Sequence, residues 1–141
     1  MEDKKIELTQ EEQMAIEPIL EELSEQARFN ISLERLLDKL RIFIKEVENG
    51  YDFSIYDYLN DLTIRDHVEK ILRTAPSTLL EKLSREIQIV DQRFKDATVK
   101  LEKPLRKDNK EVSWWWYRIP RNPGEELRDD LKSEGIYWSW E

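Results

Sequence analysis

The apolar residues between positions 33 and 47 recur every three to four residues, which is the period of an α-helix and not of a strand. The residues of this stripe are Leu33, Leu36, Leu37, Leu40, Phe43, Ile44 and Val47. Ser32 is a predicted N-cap, and Asn49-Gly50 is a predicted left-handed exit. A helix over 33–48 with one apolar face must bury that face, so the chain is restricted to a packed helical architecture.

A second stripe follows Pro76 and steps by four and three residues. Its members are Leu79, Leu83, Ile87, Val90, Phe94, Ala97 and Leu101. With Ser77 as its cap, the stripe predicts a helix over 78–102 that ends before Pro104. A coiled-coil seam with another chain is the alternative, but packing within one bundle is favoured because neighbouring helices can cover so short a stripe.

The start of the chain predicts another helix. Thr9 and Glu12 form a capping box, in which each side chain satisfies a free amide of the first turn. The helix is expected over about 10–27, with a kink or a restart at Pro18, because proline removes an amide donor.

The region before Pro76 predicts two short helices. The first begins after Ser54, and the second begins at Thr63 and Asp66, which have the spacing of a capping box. Near the C-terminus, Asn122 and the following proline predict a helix over about 123–133.

These elements predict an all-α fold, a bundle of five or six helices with a short extended aromatic segment near the C-terminus. By length, residues 1–141 form a single domain, of which residues 1–8 are expected to be disordered.

The charge balance restricts the partners. The chain has 23 basic and 31 acidic residues, a formal charge of −8, and no cysteine. An acidic protein repels phosphate backbones, which argues against nucleic acid, and attracts basic proteins. The lack of cysteine excludes disulfides and thiolate metal sites. No segment has the composition of a signal peptide or a membrane span, so we expect a cytoplasmic protein without membrane contact.

The aromatic segment is SWWWYRIP. It is predicted to be extended, because aromatic residues favour strands and a proline follows. Alternate side chains would then point to opposite sides, with Trp114, Trp116 and Arg118 on one side and Trp115 and Tyr117 on the other. All four aromatic residues are candidate partner-binding residues, and Trp115 and Tyr117 are expected to face outward.

A second candidate surface lies between positions 51 and 66, where tyrosines and a phenylalanine are interleaved with aspartates. Asp52, Asp57 and Asp61 are the candidate partner-binding residues of this stretch. Together with the aromatic side chains they could receive lysines or arginines through ion pairs and cation–π contacts. The alternative is structural, with aromatic residues packed inward and aspartates at helix caps.

An enzyme hypothesis depends on carboxylate pairs. Glu22 and Glu25 lie one helical turn apart, as do Asp66 and Glu69, and two such pairs could hold Mg²⁺ as in the all-α nucleotide pyrophosphohydrolases. In a chain with 31 acidic residues such pairs arise by chance. His67 is the only histidine, and no glycine pattern predicts a phosphate loop. We therefore expect no catalytic residue, no metal and no cofactor.

Three motifs together resemble the layout of a group of small uncharacterised bacterial helical proteins over about 51–121. The motifs are Tyr58-Leu59-x-x-Leu62-x-x-Arg65-Asp66, Asp91-x-Arg93-Phe94-x-x-Ala97-Thr98 and Trp115-Trp116-x-Arg118-x-Pro120. The resemblance implies a bacterial origin and no known activity. The charged members are expected to form one structural ion network, made of Arg65, Asp66, Asp91, Arg93 and Arg118.

The function that these patterns favour is a non-enzymatic protein-interaction module. The best match is an immunity or inhibitor protein that covers a basic partner such as a bacterial toxin, since acidity speeds association and aromatic anchors slow dissociation. An adaptor or scaffold subunit of a larger complex and a metal-dependent hydrolase are the alternatives.

Overall fold

The computed structural model describes residues 6–28, 30–106 and 112–136. Within these ranges the chain forms five α-helices, one 3₁₀ helix and two short strands. In chain order they are α1 (Gln10–Ala27), α2 (Leu33–Glu48), α3 (Ile55–Thr74), α4 (Ser77–Asp96), β1 (Thr98–Lys100), the 3₁₀ helix (Trp114–Tyr117), β2 (Arg118–Pro120) and α5 (Glu125–Ser133). The predicted all-α class, with an aromatic segment near the C-terminus, is confirmed.

The core lies between the apolar faces of α2, α3 and α4. Phe43 of α2 is at its centre, with its ring centroid 5.7 Å from that of Tyr58 on α3 and 5.8 Å from that of Phe94 on α4. All three rings are buried. Such tilted aromatic contacts are favourable beyond the burial of their area, so this trio joins the three helices.

The predicted bounds of α2 are confirmed, and the Ser32 side chain accepts the amide of Arg35 at 3.1 Å. The Thr9 capping box of α1 is also present. Helix α1 continues without a restart through Pro18, which is exposed.

The prediction of two short helices before Pro76 is wrong, because α3 is one helix of 20 residues. The capping box at its start is formed by Ser54 and Asp57. Thr63, predicted as a second cap, lies inside the helix, and its hydroxyl donates to the carbonyl of Asn60 at 2.5 Å. Threonine satisfies its hydroxyl in this way inside helices, so the same pattern does not mark a boundary here.

Helix α4 ends earlier than predicted, at Asp96. Ser77 is its first residue and not its cap, a position that Pro76 occupies. The chain then enters β1, which pairs antiparallel with β2 so that Val99 lies opposite Ile119. Leu101 is still buried, so the predicted apolar stripe reaches the core beyond the end of the helix.

The last helix, α5, also differs from its prediction. Its N-cap is Gly124 and not Asn122.

The aromatic segment is not extended as predicted. Residues Trp114–Tyr117 form a 3₁₀ helix, and only Arg118–Pro120 is a strand. The prediction that alternate side chains of this segment point to opposite sides is therefore wrong. The predicted outward orientation of Trp115 is also wrong, because this side chain is only 3% exposed. Trp116 is also buried.

The N-terminal segment was expected to be disordered over residues 1–8. Residues 1–5 lie outside the described ranges, while Ile6 and Leu8 are partly buried against the core. Of the helices described, none has the length and apolar character needed to cross a membrane.

Candidate functional site

The aromatic segment is fixed to α3 by Asp66. The Oδ1 atom of this carboxylate accepts hydrogen bonds from the indole nitrogens of Trp115 at 2.8 Å and Trp116 at 2.9 Å. Arg106 places its guanidinium 5.4 Å from the Trp116 ring centre and lies 3.4 Å from Oδ2 of Asp66. Buried indoles need such a partner, so two of the four candidate aromatic residues serve to complete the core.

Arg65 supports the same segment from within α3. Its side chain is buried and forms two hydrogen bonds of 2.9 Å with the carboxylate of Asp91 and one of 3.0 Å with Glu69. The guanidinium lies 4.4 Å from the Trp115 ring centre. Burial lowers the pKa of Arg65, but the hydrogen bonds with Asp91 and Glu69 outweigh this effect and raise it above its ordinary value.

The expected single ion network is wrong in its extent. Arg65 and Asp91 are paired, but Asp66 binds the indoles and Arg106. Arg93 forms two hydrogen bonds with Glu48 of α2, at 2.6 and 3.0 Å. Arg118 donates to the Thr98 hydroxyl at 2.7 Å and to main-chain carbonyls, because the β1–β2 pairing carries it beside β1.

Trp114 and Tyr117 are both partly exposed. The Trp114 ring lies 6.0 Å from that of Phe94, and the ammonium of Lys95 lies 4.7 Å above it. The 3₁₀ helix therefore offers little free aromatic surface.

No protein-family model, curated protein or solved structure matches the chain. The resemblance to small bacterial proteins therefore stays a prediction.

The most exposed aromatic side chains near acidic groups lie at the start of α3. Tyr56 is 72% exposed and Phe53 is 43% exposed. Asp52 and Asp57 are exposed, and Asp61 is half-buried. We call these five residues the acidic aromatic surface. The three aspartates that the sequence predicted and these two exposed aromatic residues thus lie between positions 52 and 61, before and within the first turns of α3.

Acidic groups crowd around a buried phenol beneath this surface. The Tyr51 hydroxyl donates to Oδ2 of Asp61 at 2.6 Å, and the Tyr51 side chain is fully buried. Burial raises the pKa of Asp61, the hydrogen bond from Tyr51 lowers it, and the charge of Asp57 raises it again, so that the net direction is upward. Burial and the charge of Asp61 also raise the pKa of Glu46. An approaching cation would relieve this repulsion.

The acidic aromatic surface is held in place by the C-terminal helix. The carboxylate of Asp130 on α5 accepts the amide of Ile55, the first residue of α3, at 2.9 Å. The amide of Gly124 donates to the Tyr51 carbonyl at 2.8 Å. A carboxylate at a helix N-terminus satisfies a free amide and interacts favourably with the helix dipole.

The carboxylate pairs of the enzyme hypothesis are engaged elsewhere. Asp66 accepts the two indoles, Glu69 binds Arg65, and Glu22 lies 3.8 Å from Lys70. In residues 6–28, 30–106 and 112–136, no three His, Asp or Glu side chains are grouped so as to hold a metal. His67 lies half-buried within α3, where burial lowers its pKa.

Proposed function

We propose that this protein is a non-enzymatic interaction module whose acidic aromatic surface covers a basic region of another protein. The observation that carries the proposal is the combination of Phe53 and Tyr56, both exposed, with two nearby carboxylates whose pKa values are raised by burial and, to a smaller extent, by neighbouring negative charge. Tyrosine and phenylalanine rings attract lysine and arginine side chains through cation–π contacts, and the carboxylates add charge.

The net charge supports the same proposal. At −8, the chain attracts a basic protein over a distance of about one Debye length, roughly 8 Å at physiological salt. Such steering raises the association rate, while an aromatic anchor in a desolvated contact slows dissociation. This combination suits an inhibitor that must occupy its target quickly and hold it.

Within this class we propose an immunity or inhibitor protein that masks the basic active site of a toxin. The resemblance to bacterial proteins and the acidic surface support this choice. Its specific consequence is that the bound partner loses its activity.

The experiment compares two double variants. Phe53→Ser with Tyr56→Ser removes the aromatic anchors, whereas Ile42→Ser with Ile89→Ser removes exposed side chains of similar exposure, 56% and 53%, on α2 and α4. Wild type and the control pair should capture the same basic protein from native lysate. The Phe53/Tyr56 variant should bind that purified protein at least about thirtyfold more weakly, the size of a hot-spot loss of 2 kcal/mol.

Two results decide against the proposal. Capture that is unaffected by the Phe53/Tyr56 variant would show that the surface is not the contact. A purified partner that stays fully active in the complex would exclude the inhibitor class and leave only an interaction module.

A further inference from the structure

The connection between α2 and α3, residues 49–54, carries Asp52 and Phe53 and is neither helix nor strand. We call it the α2–α3 connection. The Tyr51 carbonyl accepts the amide of Gly124 at 2.8 Å, and a Cβ atom added at Gly124 would lie 2.7 Å from Oδ1 of Asp52. The segment that leads into α5 is therefore in direct contact with the backbone that presents part of the acidic aromatic surface.

A second contact lies at the first residue of α3. The amide of Ile55 donates to Oδ2 of Asp130 at 2.9 Å. The capping box of Ser54 and Asp57 satisfies the amides of those two residues, and the first amide of a helix has no acceptor within that helix. Asp130 is half-buried and precedes Leu131, which is fully buried, so its carboxylate is held against the start of α3.

Helix α5 supplies both contacts only when it is docked. It has nine residues, and its two apolar side chains, Leu127 and Leu131, are fully buried. So short a helix is not stable alone in water, because too few hydrogen bonds follow the costly first turn. Folding and docking of α5 are therefore one event, which supplies or removes the contacts of Gly124 and Asp130 together.

We propose that Asp130 is a positioning residue of the acidic aromatic surface and that docking of α5 is coupled to partner binding. This coupling rests on the proposed function, because it concerns the same surface. With α5 docked, the α2–α3 connection is held in one conformation, and Phe53 and Tyr56 are presented together. Binding then requires less ordering of this chain, so affinity rises although Asp130 does not touch the partner.

The coupling is reciprocal. If docking of α5 raises the affinity for a partner, a bound partner stabilises docked α5 by the same factor, because the two equilibria are linked. The amides of α5 should therefore exchange with solvent more slowly in the complex, and by a larger factor than those of α1, which has no residue in the surface. Equal factors for the two helices would overturn the coupling. This measurement uses the wild-type chain, so it does not depend on whether a variant folds.

Three variants of the full chain test the role of Asp130. Asp130→Ala removes the acceptor, Asp130→Asn keeps an acceptor oxygen, and Asp129→Ala removes an equal charge from the exposed neighbouring residue. Affinity is measured for the basic protein that the wild type captures. Asp130→Ala should bind it at least about tenfold more weakly, within the range of coupling between sites, and the other two should stay within about twofold of wild type. Equal losses in Asp130→Ala and Asp129→Ala would show an effect of charge alone and overturn the proposal.

A combined variant separates positioning from direct contact. It adds Asp130→Ala to Phe53→Ser with Tyr56→Ser. If Asp130 acts through the two rings, its removal should change affinity by less than about twofold once the rings are absent, because the effects of coupled residues do not add. A tenfold loss in that background would show that Asp130 acts by another route, and the proposal would be wrong.

A measurement on the free protein separates the failure of this proposal from the failure of the proposed function. The amide of Ile55 should exchange at least about tenfold faster in Asp130→Ala than in Asp129→Ala, since local opening is easier, and the resonances of the Phe53 ring should shift. Unchanged exchange and resonances would overturn the positioning role even if Phe53 and Tyr56 bind the partner. If exchange changes but Phe53→Ser with Tyr56→Ser binds normally, the proposed function is wrong, and the coupling to binding falls with it.

Discussion

The Oδ1 atom of Asp66 lies 2.9 Å from the indole nitrogen of Trp116, and the same oxygen accepts the indole of Trp115. One carboxylate thus satisfies two N–H donors on buried rings. A donor left unpaired in a protein interior costs about 1–3 kcal/mol.

We therefore expect Asp66→Ala to lower the free energy of unfolding by about 2–5 kcal/mol, since it leaves both indole donors unpaired. Asp66→Asn keeps one acceptor oxygen and should therefore lower the free energy of unfolding by less than Asp66→Ala does. Urea denaturation measures both values, and near-ultraviolet circular dichroism reports the packing of the rings. Equal losses in the two variants would contradict this account, because they would show that the indole bonds do not determine the effect.

A second prediction concerns Gly124. A Cβ atom at this position would lie 2.8 Å from the Asp52 Cα and from the Tyr51 carbonyl oxygen. The backbone conformation itself, with φ −66°, suits any residue. Gly124→Ala should therefore destabilise the protein by about 1–3 kcal/mol through overpacking.

Gly135 is the matched comparison for Gly124. It has φ +71° and no atom near its would-be Cβ, so Gly135→Ala should cost only the roughly 1–2 kcal/mol of a left-handed conformation. Tyr51 fluorescence or chemical shifts should change in Gly124→Ala and stay unchanged in Gly135→Ala. If the Gly124→Ala variant is as stable as wild type, the segment at Gly124 can move away from Tyr51 and Asp52 without loss of stability.

The third prediction compares two phenylalanines. Phe94 is 3% exposed in the core, whereas Phe53 is 43% exposed. Phe94→Ala should cost about 3–5 kcal/mol because it removes a ring and leaves a cavity. Phe53→Ala should cost about 0.5 kcal/mol, as surface substitutions do. Chemical denaturation at constant pH gives both values, and similar losses would place Phe53 in the core.

The fourth prediction concerns the dependence of stability on pH. Glu12 is 1% exposed and accepts Lys82 Nζ at 2.6 Å and the Thr9 amide at 2.9 Å. Its hydrogen bonds with Lys82, Thr78 and Thr9 lower its pKa from 4.5 to about 2. Because the pKa of Glu12 is depressed in the folded state, its ionised carboxylate stabilises the fold. This contribution to the free energy of unfolding is fully present above about pH 4.5 and is lost as pH falls toward 2.

In Lys82→Met the depression of the Glu12 pKa should shrink, so stability should be lower at neutral pH and fall less between pH 4.5 and 2. Urea midpoints measured across this pH range test the expectation. Lys132→Met, at an exposed position of α5, serves as the control and should keep the wild-type dependence. An unchanged pH dependence in Lys82→Met would show that another group causes the acid sensitivity.

Helix α2 could be predicted to the residue because local and tertiary preferences agree there. Its apolar stripe, its serine cap and the Asn49-Gly50 exit all mark the same bounds. The start of α3 shows the opposite case. Ser54 and Thr63 are each followed three residues later by an aspartate, yet only Ser54 begins a helix. The helix continues past Thr63 because α3 buries one side along its whole length. Arg65 belongs to this buried side, although a search for hydrophobic residues does not find it.

The aromatic segment could not be predicted from propensity alone. Tryptophan favours strands, but the indoles of Trp115 and Trp116 need an acceptor, and Asp66, about 50 residues earlier, supplies it. Reaching one carboxylate with two adjacent indoles requires a tight turn, which the 3₁₀ helix provides. A partner so distant along the chain leaves no local signal, whereas the aspartates of the acidic aromatic surface were visible in sequence because they are close together.

The bond between Asp130 and the amide of Ile55 joins positions 75 residues apart. Because the N-terminal part of a chain is synthesised first, α3 emerges long before the residue that satisfies its first amide. Closing so long a loop also slows the docking of α5 relative to local helix formation. The corner that carries Phe53 and Tyr56 is therefore completed late, and a nascent chain can present it in its final form only after α5 has been made.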